Sequence, residues 1–234
     1  MTAAVLYKQV LQELQQQNTR TMTPKEFVKL FNTEQYEMVY TWSVQNDLRH
    51  RNYNEDINCL RVSTNGRFGN PAPLANIGTN ANGEEGFDLP VDCLYTEDVL
   101  FTVYCLGSRC YAGGTILSRN AKYVKQHELN SRNVYSQGSE DEPLYQLQNR
   151  IIVPVIRETQ SYVTAIQLTY LRNPVNIEYA GNAFTVEPES GYTESFCTML
   201  IKRCVNRWLE QTGDARVNIQ TQIENSTTNK ITSL

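Results

Sequence analysis

Histidine is scarce in this chain: only His50 and His127 occur among 234 residues, so a histidine-built metal centre or general base has little to draw on. Long apolar runs are missing too, since no window reaches the roughly 18 consecutive apolar residues of a membrane span. The start, Met1-Thr2-Ala3-Ala4-Val5-Leu6-Tyr7-Lys8, lacks the basic-then-apolar layout of a signal peptide, and the expectation is a soluble protein made in the cytoplasm. No excess of positive charge exists. Lys and Arg total 21 against 25 Asp and Glu, mixed along the chain for a net charge of -4, which argues against a footprint that neutralises nucleic-acid phosphates. The signatures GxSxG, HExxH, GxxxxGK[ST] and GxGxxG are absent. Ala112-Gly113-Gly114-Thr115 lacks the lysine and following helix of a phosphate loop and reads as a strand bend.

The residues that are present point to packing and contact. Six cysteines in a chain of this length, without an export signal, are expected to be reduced thiols. Cys105 and Cys110 flank Leu106-Gly107-Ser108-Arg109, and Cys197 and Cys204 lie two turns apart on one helical face; neither pair has the CxxC spacing of a zinc site. A thiol mechanism would recruit Cys110 or Cys93 with His127, but no spacing holds them together. Glu140-Asp141-Glu142 lacks the ordered oxygens of a calcium loop and reads as a solvated loop. Arg49-His50-Arg51 reads as a basic complement to a helix C-terminus, and Trp42 and Trp208 as core. The 14 tyrosines do not alternate with Lys and Arg as in a base-stacking groove. Charged residues make up only 20%, while Asn, Gln and Thr are abundant, a composition suited to wet, hydrogen-bonded subunit contacts.

Along the chain, Val5, Leu6, Val10, Leu11 and Leu14 predict an amphipathic helix from Thr2 to Gln17. Thr23-Pro24-Lys25-Glu26 is a capping box opening a short helix to Leu30 or Phe31, and Asn32-Thr33-Glu34-Gln35 predicts a third helix towards Asp47. After a candidate strand at Asn58 to Val62, the Asn- and Gly-rich stretch Ser63 to Gly86 reads as a long arm reaching a neighbouring subunit or as disorder. Strands are expected at Phe87 to Tyr95, at Val99 to Leu106 (apolar on both faces) and at Tyr111 to Leu117, the last two forming a hairpin around Gly107-Ser108-Arg109. A short helix is expected from Asn120 to Leu129, and an acidic surface loop from Gln137 to Pro143. A second hairpin would join Ile151 to Ile156 and Tyr162 to Arg172 through Glu158-Thr159-Gln160, with Pro154 at an edge or a bulge. Phe196, Leu200, Ile201, Cys204, Val205, Trp208 and Leu209 form the apolar stripe of a buried helix from Thr193 to Gln211, ended by Gly213; Asp214 restarts a helix and Glu224 to Leu234 form a polar tail.

The fold class is therefore α+β: terminal helices forming a helical bundle with an inserted, mainly antiparallel β region. The organisation is an N-terminal helical part over 1–57, a β-rich insertion over 58–189 carrying the arm 63–86, and C-terminal helices over 190–234 that pack on the N-terminal ones.

Four marks in order along the chain resemble a family of structural proteins in crAss-like bacteriophages. They are Leu6-Tyr7-Lys8 with Val10-Leu11, Leu89-Pro90-Val91-Asp92-Cys93-Leu94, Tyr170-Leu171-Arg172-Asn173-Pro174, and Leu209-Glu210-Gln211-Thr212-Gly213-Asp214-Ala215-Arg216. An aromatic often stands at the Cys93 position and a proline at the Ala215 position of that pattern. The layout also resembles adaptor and gatekeeper proteins beneath the portal of short-tailed phages. The resemblance implies a non-enzymatic virion protein, a ring-forming subunit of the head-to-tail connector that links capsid to tail and lines the DNA channel. Its implied partners are further copies of itself in a twelvefold ring, the portal protein, neighbouring tail or ring proteins and passing double-stranded DNA without specific binding, with no membrane. No catalytic, cofactor-binding or metal residue is assigned, and no cofactor. Other virion components (a tail hub, a tail-completion or a capsid-associated protein) and a nucleic-acid-binding module are the alternatives.

Overall fold

The three long helices among the described residues each begin where a threonine hydroxyl holds a backbone N–H that the helix itself leaves unpaired. In the computed structural model, which describes residues 1–17, 19–46, 56–67, 77–79, 85–105, 112–125, 128, 138–156 and 161–213, Thr2 opens α1 (Ala3–Gln16) by accepting from the Val5 N–H at 3.4 Å. At the start of α2 (Pro24–Asn46), the Glu26 N–H donates to Thr23 Oγ1 at 3.3 Å and the Thr23 N–H donates to the Glu26 carboxylate at 2.8 Å, the reciprocal capping box. Thr193 accepts from the Phe196 N–H at 3.2 Å and opens α3 (Glu194–Thr212), which Gly213 ends in the left-handed region at φ 70°.

One expected boundary is absent. The two helices predicted from Thr23 to Asp47 are a single helix, because Asn32 does not cap anything: its amide donates to the Ile177 carbonyl at 3.0 Å and accepts from the Ile177 N–H at 2.9 Å. Thr33 donates back to the Lys29 carbonyl at 2.9 Å. Asn32 is thus drawn off the helix backbone, and Thr33 bonds back onto the preceding turn without interrupting it.

The chain forms two compact units, Met1–Leu60 with Pro174–Leu234, and Arg61–Asn173. In the first, α3 packs on α1 and α2, burying Phe196, Leu200, Cys204, Val205 and Trp208. Burial of each such side chain contributes about 1.5–3 kcal/mol.

The second unit holds two sheets. Antiparallel β1 (Arg61–Arg67), β9 (Ser161–Arg172), β4 (Cys93–Cys105) and β5 (Thr115–Asn120) lie side by side in the order β1-β9-β4-β5. The other sheet has the order β2-β3-β8-β7-β6, from β2 (Ile77–Thr79), β3 (Glu85–Asp88), β6 (Lys122–Tyr123), β7 (Leu144–Gln148) and β8 (Ile151–Val155). Phe87, Phe101, Val103, Tyr145, Ile152, Ile166 and Leu168 form one core with both sheets contributing. The class is α+β, as the sequence reading has it.

The expected hairpin of Ile151–Ile156 with Tyr162–Arg172 does not form. Their strands enter different sheets, β8 pairing with β3 and β7 and β9 with β1 and β4, because Ile152 and Ile166 serve the same core from opposite sides. The first part of the expected helix from Asn120 to Leu129 is replaced: Asn120 ends β5, the Ala121 N–H donates to Val99 O at 2.7 Å and Lys122–Tyr123 is a strand, while Glu128 is helical and residues 126, 127 and 129 lie outside the described residues. Asn58–Leu60, read as strand, is a 3-10 turn, while Ser63–Arg67, read as the start of a loose arm, is laddered to β9. Residues 68–76 and 80–84 of that arm, the turn at Gly107-Ser108-Arg109, the loop Glu158-Thr159-Gln160 and the segment from Asp214 to Leu234 lie outside the described residues. Pro154 faces Tyr145 of β7, but β3 pairs with β8 only at Ile151 and Ile152, so the proline sits where the ladder on its other side has ended.

Residues 174–189, read from sequence as the end of the β-rich span, lie with the helices. Gln35 donates to Val175 O at 3.0 Å beside the Asn32–Ile177 pair. Phe184, on the ribbon of β10 (Glu178–Ala180) and β11 (Ala183–Val186), packs on Tyr7 and Phe27 at centroid distances of 5.9 and 6.0 Å.

Candidate interaction surface

Alternation along β4 sends Val99, Phe101, Val103 and Cys105 into the core and leaves Leu100, Thr102 and Tyr104 on the other face, only partly covered. The run carries apolar side chains on both faces, as its sequence reads, and its outer face, with Leu100 and Tyr104, is a partly covered surface. Cross-strand register then assembles that surface row by row. Tyr104 stands between Ile116 of β5 and Tyr162 of β9, Thr102 beside Ser118, and Leu100 between Asn120 and Gln167. The Tyr104 and Tyr162 rings lie 5.4 Å apart at 41°. Ile116 is 64% exposed and Tyr162 50%. On β1, Ser63 and Asn65 continue the face, with Gln167 donating to Ser63 Oγ at 3.4 Å.

Over these rows the β9, β4 and β5 strands carry no charged side chain outward; Asp98 and the ion pair of Arg61 with Glu97 border the patch. A face of hydroxyls, amides and a few apolar groups can meet another surface without stripping water from ions, which costs several kcal/mol per buried ion. It suits a hydrogen-bonded, water-bridged protein contact.

At one end of this sheet two of the resemblance marks meet. Tyr170 Oη donates to Asp92 Oδ1 at 3.2 Å and the Asn173 N–H donates to Asp92 O at 2.7 Å, so Asp92 anchors the end of β9. Burial, with the Asp92 carboxylate adding to it, pushes the Tyr170 hydroxyl up to about 12. Asn149 and Arg150 take φ of 50° and 65° in the two-residue turn between β7 and β8, and Arg150 donates to Pro90 O at 2.6 Å and Val91 O at 3.3 Å. That grip fixes the turn that presents Val91, 94% exposed. Nothing in the local pattern marked Arg150. Its role comes from a contact 60 residues away in sequence.

The remaining candidates resolve as packing or as salt links. Burial pushes the Cys93 thiol up to about 11, so at neutral pH it is a protonated packing group; Cys110 and His127 lie outside the described residues. Glu140 is buried, against the expectation of a fully solvated acidic loop, while Asp141 reaches Arg119 at 3.1 Å and Glu142 reaches Lys122 at 3.4 Å. In the helical unit a shallow groove is lined by Glu34, Glu37, Arg203, Asn206, Arg207 and Glu210. Glu34, 4% exposed, takes Arg203 at 2.9 Å and Arg207 at 3.3 Å, and Glu37 takes the same two at 3.7 and 3.4 Å, so the guanidinium charges are spent on α2 carboxylates. Trp208, expected in the core, is buried and donates to Arg20 O at 3.0 Å; Trp42, buried as well, meets Phe196 edge-on at 5.1 Å. Arg49-His50-Arg51 lies outside the described residues. Among the described residues no group of three or more His, Cys, Asp or Glu is placed to hold a metal ion, and no helix is long and apolar enough to cross a membrane. Comparison with protein-family models and with curated proteins finds no match for this chain.

Proposed function

We propose that the chain is a structural subunit of a bacteriophage virion, forming a ring of the head-to-tail connector below the portal, linking capsid to tail and lining the DNA channel. The observation that carries this reading is the uncharged outward rows of β9, β4 and β5, continued by Ser63 and Asn65 of β1, a surface suited to a wet contact between subunits. The meeting of Leu89–Leu94 with Tyr170–Pro174 at Asp92 supports it, because both marks of the resemblance then do the same structural work. The net charge of -4 favours a bore through which DNA slides without being held.

Cryo-electron microscopy of the purified particle tests the reading. The expected result is density for this chain in a ring directly below the portal, twelvefold like it, with a neutral-to-acidic lumen. Density in a tail hub or on the capsid, a bore lined throughout by Arg and Lys contacting DNA, or a particle lacking the chain would overturn it.

A further inference from the structure

The four-stranded sheet ends in two strands with no strand partner on their outer sides among the described residues, β1 and β5. Three antiparallel steps separate them, so β1 and β5 run in opposite directions. A β1 edge laid against the β5 edge of another copy therefore continues the antiparallel alternation without a break. Both edges are regular, the register shifts of this sheet being confined to the β4–β9 pair in its interior. Neither edge carries a lysine, a proline or a bulge, and the arginines of both strands stand at or next to the strand ends, Arg61 and Arg67 on β1 and Arg119 on β5.

We infer that copies of this chain join head to tail by strand pairing, β5 of one against β1 of the next. The inference rests on the ring reading above, since a two-fold β5–β5 contact would close at a dimer whereas a head-to-tail contact propagates until it closes on itself. The strands match in length, six residues against seven. They also match in facing: Leu117 and Val62 pack against the core, while Ile116, Ser118, Ser63 and Asn65 face outward. One register keeps every in-facing residue opposite an in-facing one and still uses all six residues of β5. It sets Ser118 against Ser63, Ile116 against Asn65 and Asn120 against Arg61. Main-chain hydrogen bonds supply the attraction, as in other strand-addition contacts. Ile116 and Ser118 of one subunit then continue into Asn65 and Ser63 of the next on the outer face.

Cysteine cross-linking of the purified full chain tests this register. Ser63 and Ser118 are both exposed, so Ser63→Cys with Ser118→Cys is compatible with the fold. Under mild copper-catalysed oxidation the double variant should give a non-reducing ladder of dimers, trimers and higher species, while each single variant gives no more than the parent. Ser118→Cys paired with Asn65→Cys, two residues out of register, should cross-link at least tenfold more slowly. Equal dimer from Ser118→Cys alone would mean two-fold pairing and overturn the inference, as would a double variant that stays monomeric. Electron microscopy of the same samples separates the two claims. Rings without a ladder would overturn the strand pairing and leave the ring reading standing; a ladder of open chains without rings would support the pairing and overturn the ring.

Discussion

Met1–Leu60 with Pro174–Leu234 and Arg61–Asn173 are built by opposite means. In the first unit the helix ends are satisfied within three residues, by Thr2, by Thr23 with Glu26 and by Thr193, and a few long-range polar contacts join the helices. Glu34 holding Arg203 and Arg207, and Asn32 holding Ile177, are the clearest of these. In the second unit local signals say little, and stability comes from ladders such as β4 with β9, whose partners lie some 60 residues apart. The lesson is that helices here are specified first and joined afterwards, whereas the strands acquire their faces only from their neighbours.

The largest expected effect tests the β unit at its centre. Phe101 is fully buried between the sheets, and Phe101→Ala should lower the free energy of unfolding by about 3–5 kcal/mol, read from the urea midpoint. A loss under about 1 kcal/mol would show that the two sheets do not share one packed core.

The corresponding break in the helical unit is electrostatic. Glu34→Gln leaves Arg203 and Arg207 facing a neutral amide; because both guanidiniums are partly exposed, the cost is discounted to about 1–3 kcal/mol. A double-mutant cycle with Arg203→Met measures the coupling, and a coupling near zero would remove the clamp from the comparison.

A backbone test returns to the β unit. A Cβ on Gly86 would lie 2.4 Å from Ile151 Cγ2 and 2.7 Å from Ile152 O, so Gly86→Ala must push β3 off β8 at a cost of about 1–3 kcal/mol. Faster hydrogen exchange confined to these two strands is the expected signature.

Losing a cap should cost less. Thr193 accepts from the Phe196 N–H and donates to Asp56, and Thr193→Ala should cost about 1 kcal/mol with fraying of the first turn of α3, seen by hydrogen exchange. A loss as large as that of Phe101→Ala would mean that the helical unit depends on this one contact and not on its packed faces.

The smallest effect is chemical. Cys93 is held protonated by burial, its folded-state value raised from 9.0 to about 11, so its stabilising contribution is complete below pH 9 and is lost as pH rises through about 11. Reaction of this thiol with a disulfide reagent in the folded protein should be negligible at pH 7 and gain strength only towards pH 11. Rapid reaction at pH 7 would contradict the packing assignment.

The bounds of α1 and α3 were legible because capping and apolar spacing act over a single turn: Thr2, Thr193 and Gly213 mark their ends with no help from the rest of the chain. Asn32-Thr33 misled because a side chain that caps in isolation was recruited by Ile177, 145 residues on. The outer sheet face was hidden for a related reason. Leu100 and Tyr104 are apolar enough to pass for core, and only the pairing of β4 between β9 and β5 decides which side is covered.

What the sequence determined alone is the α+β class, the helix caps, the absence of a long apolar run and the neutral polar composition, all properties that depend on a residue and its near neighbours. Tertiary structure decided that Ile151–Val155 and Ser161–Arg172 part company into two sheets, that Arg150 grips the Pro90–Val91 turn, and that β1 and β5 are left as edges of opposite direction. Strand partners are chosen by burying apolar faces across the whole chain, a sum over distant residues to which no local pattern gives access.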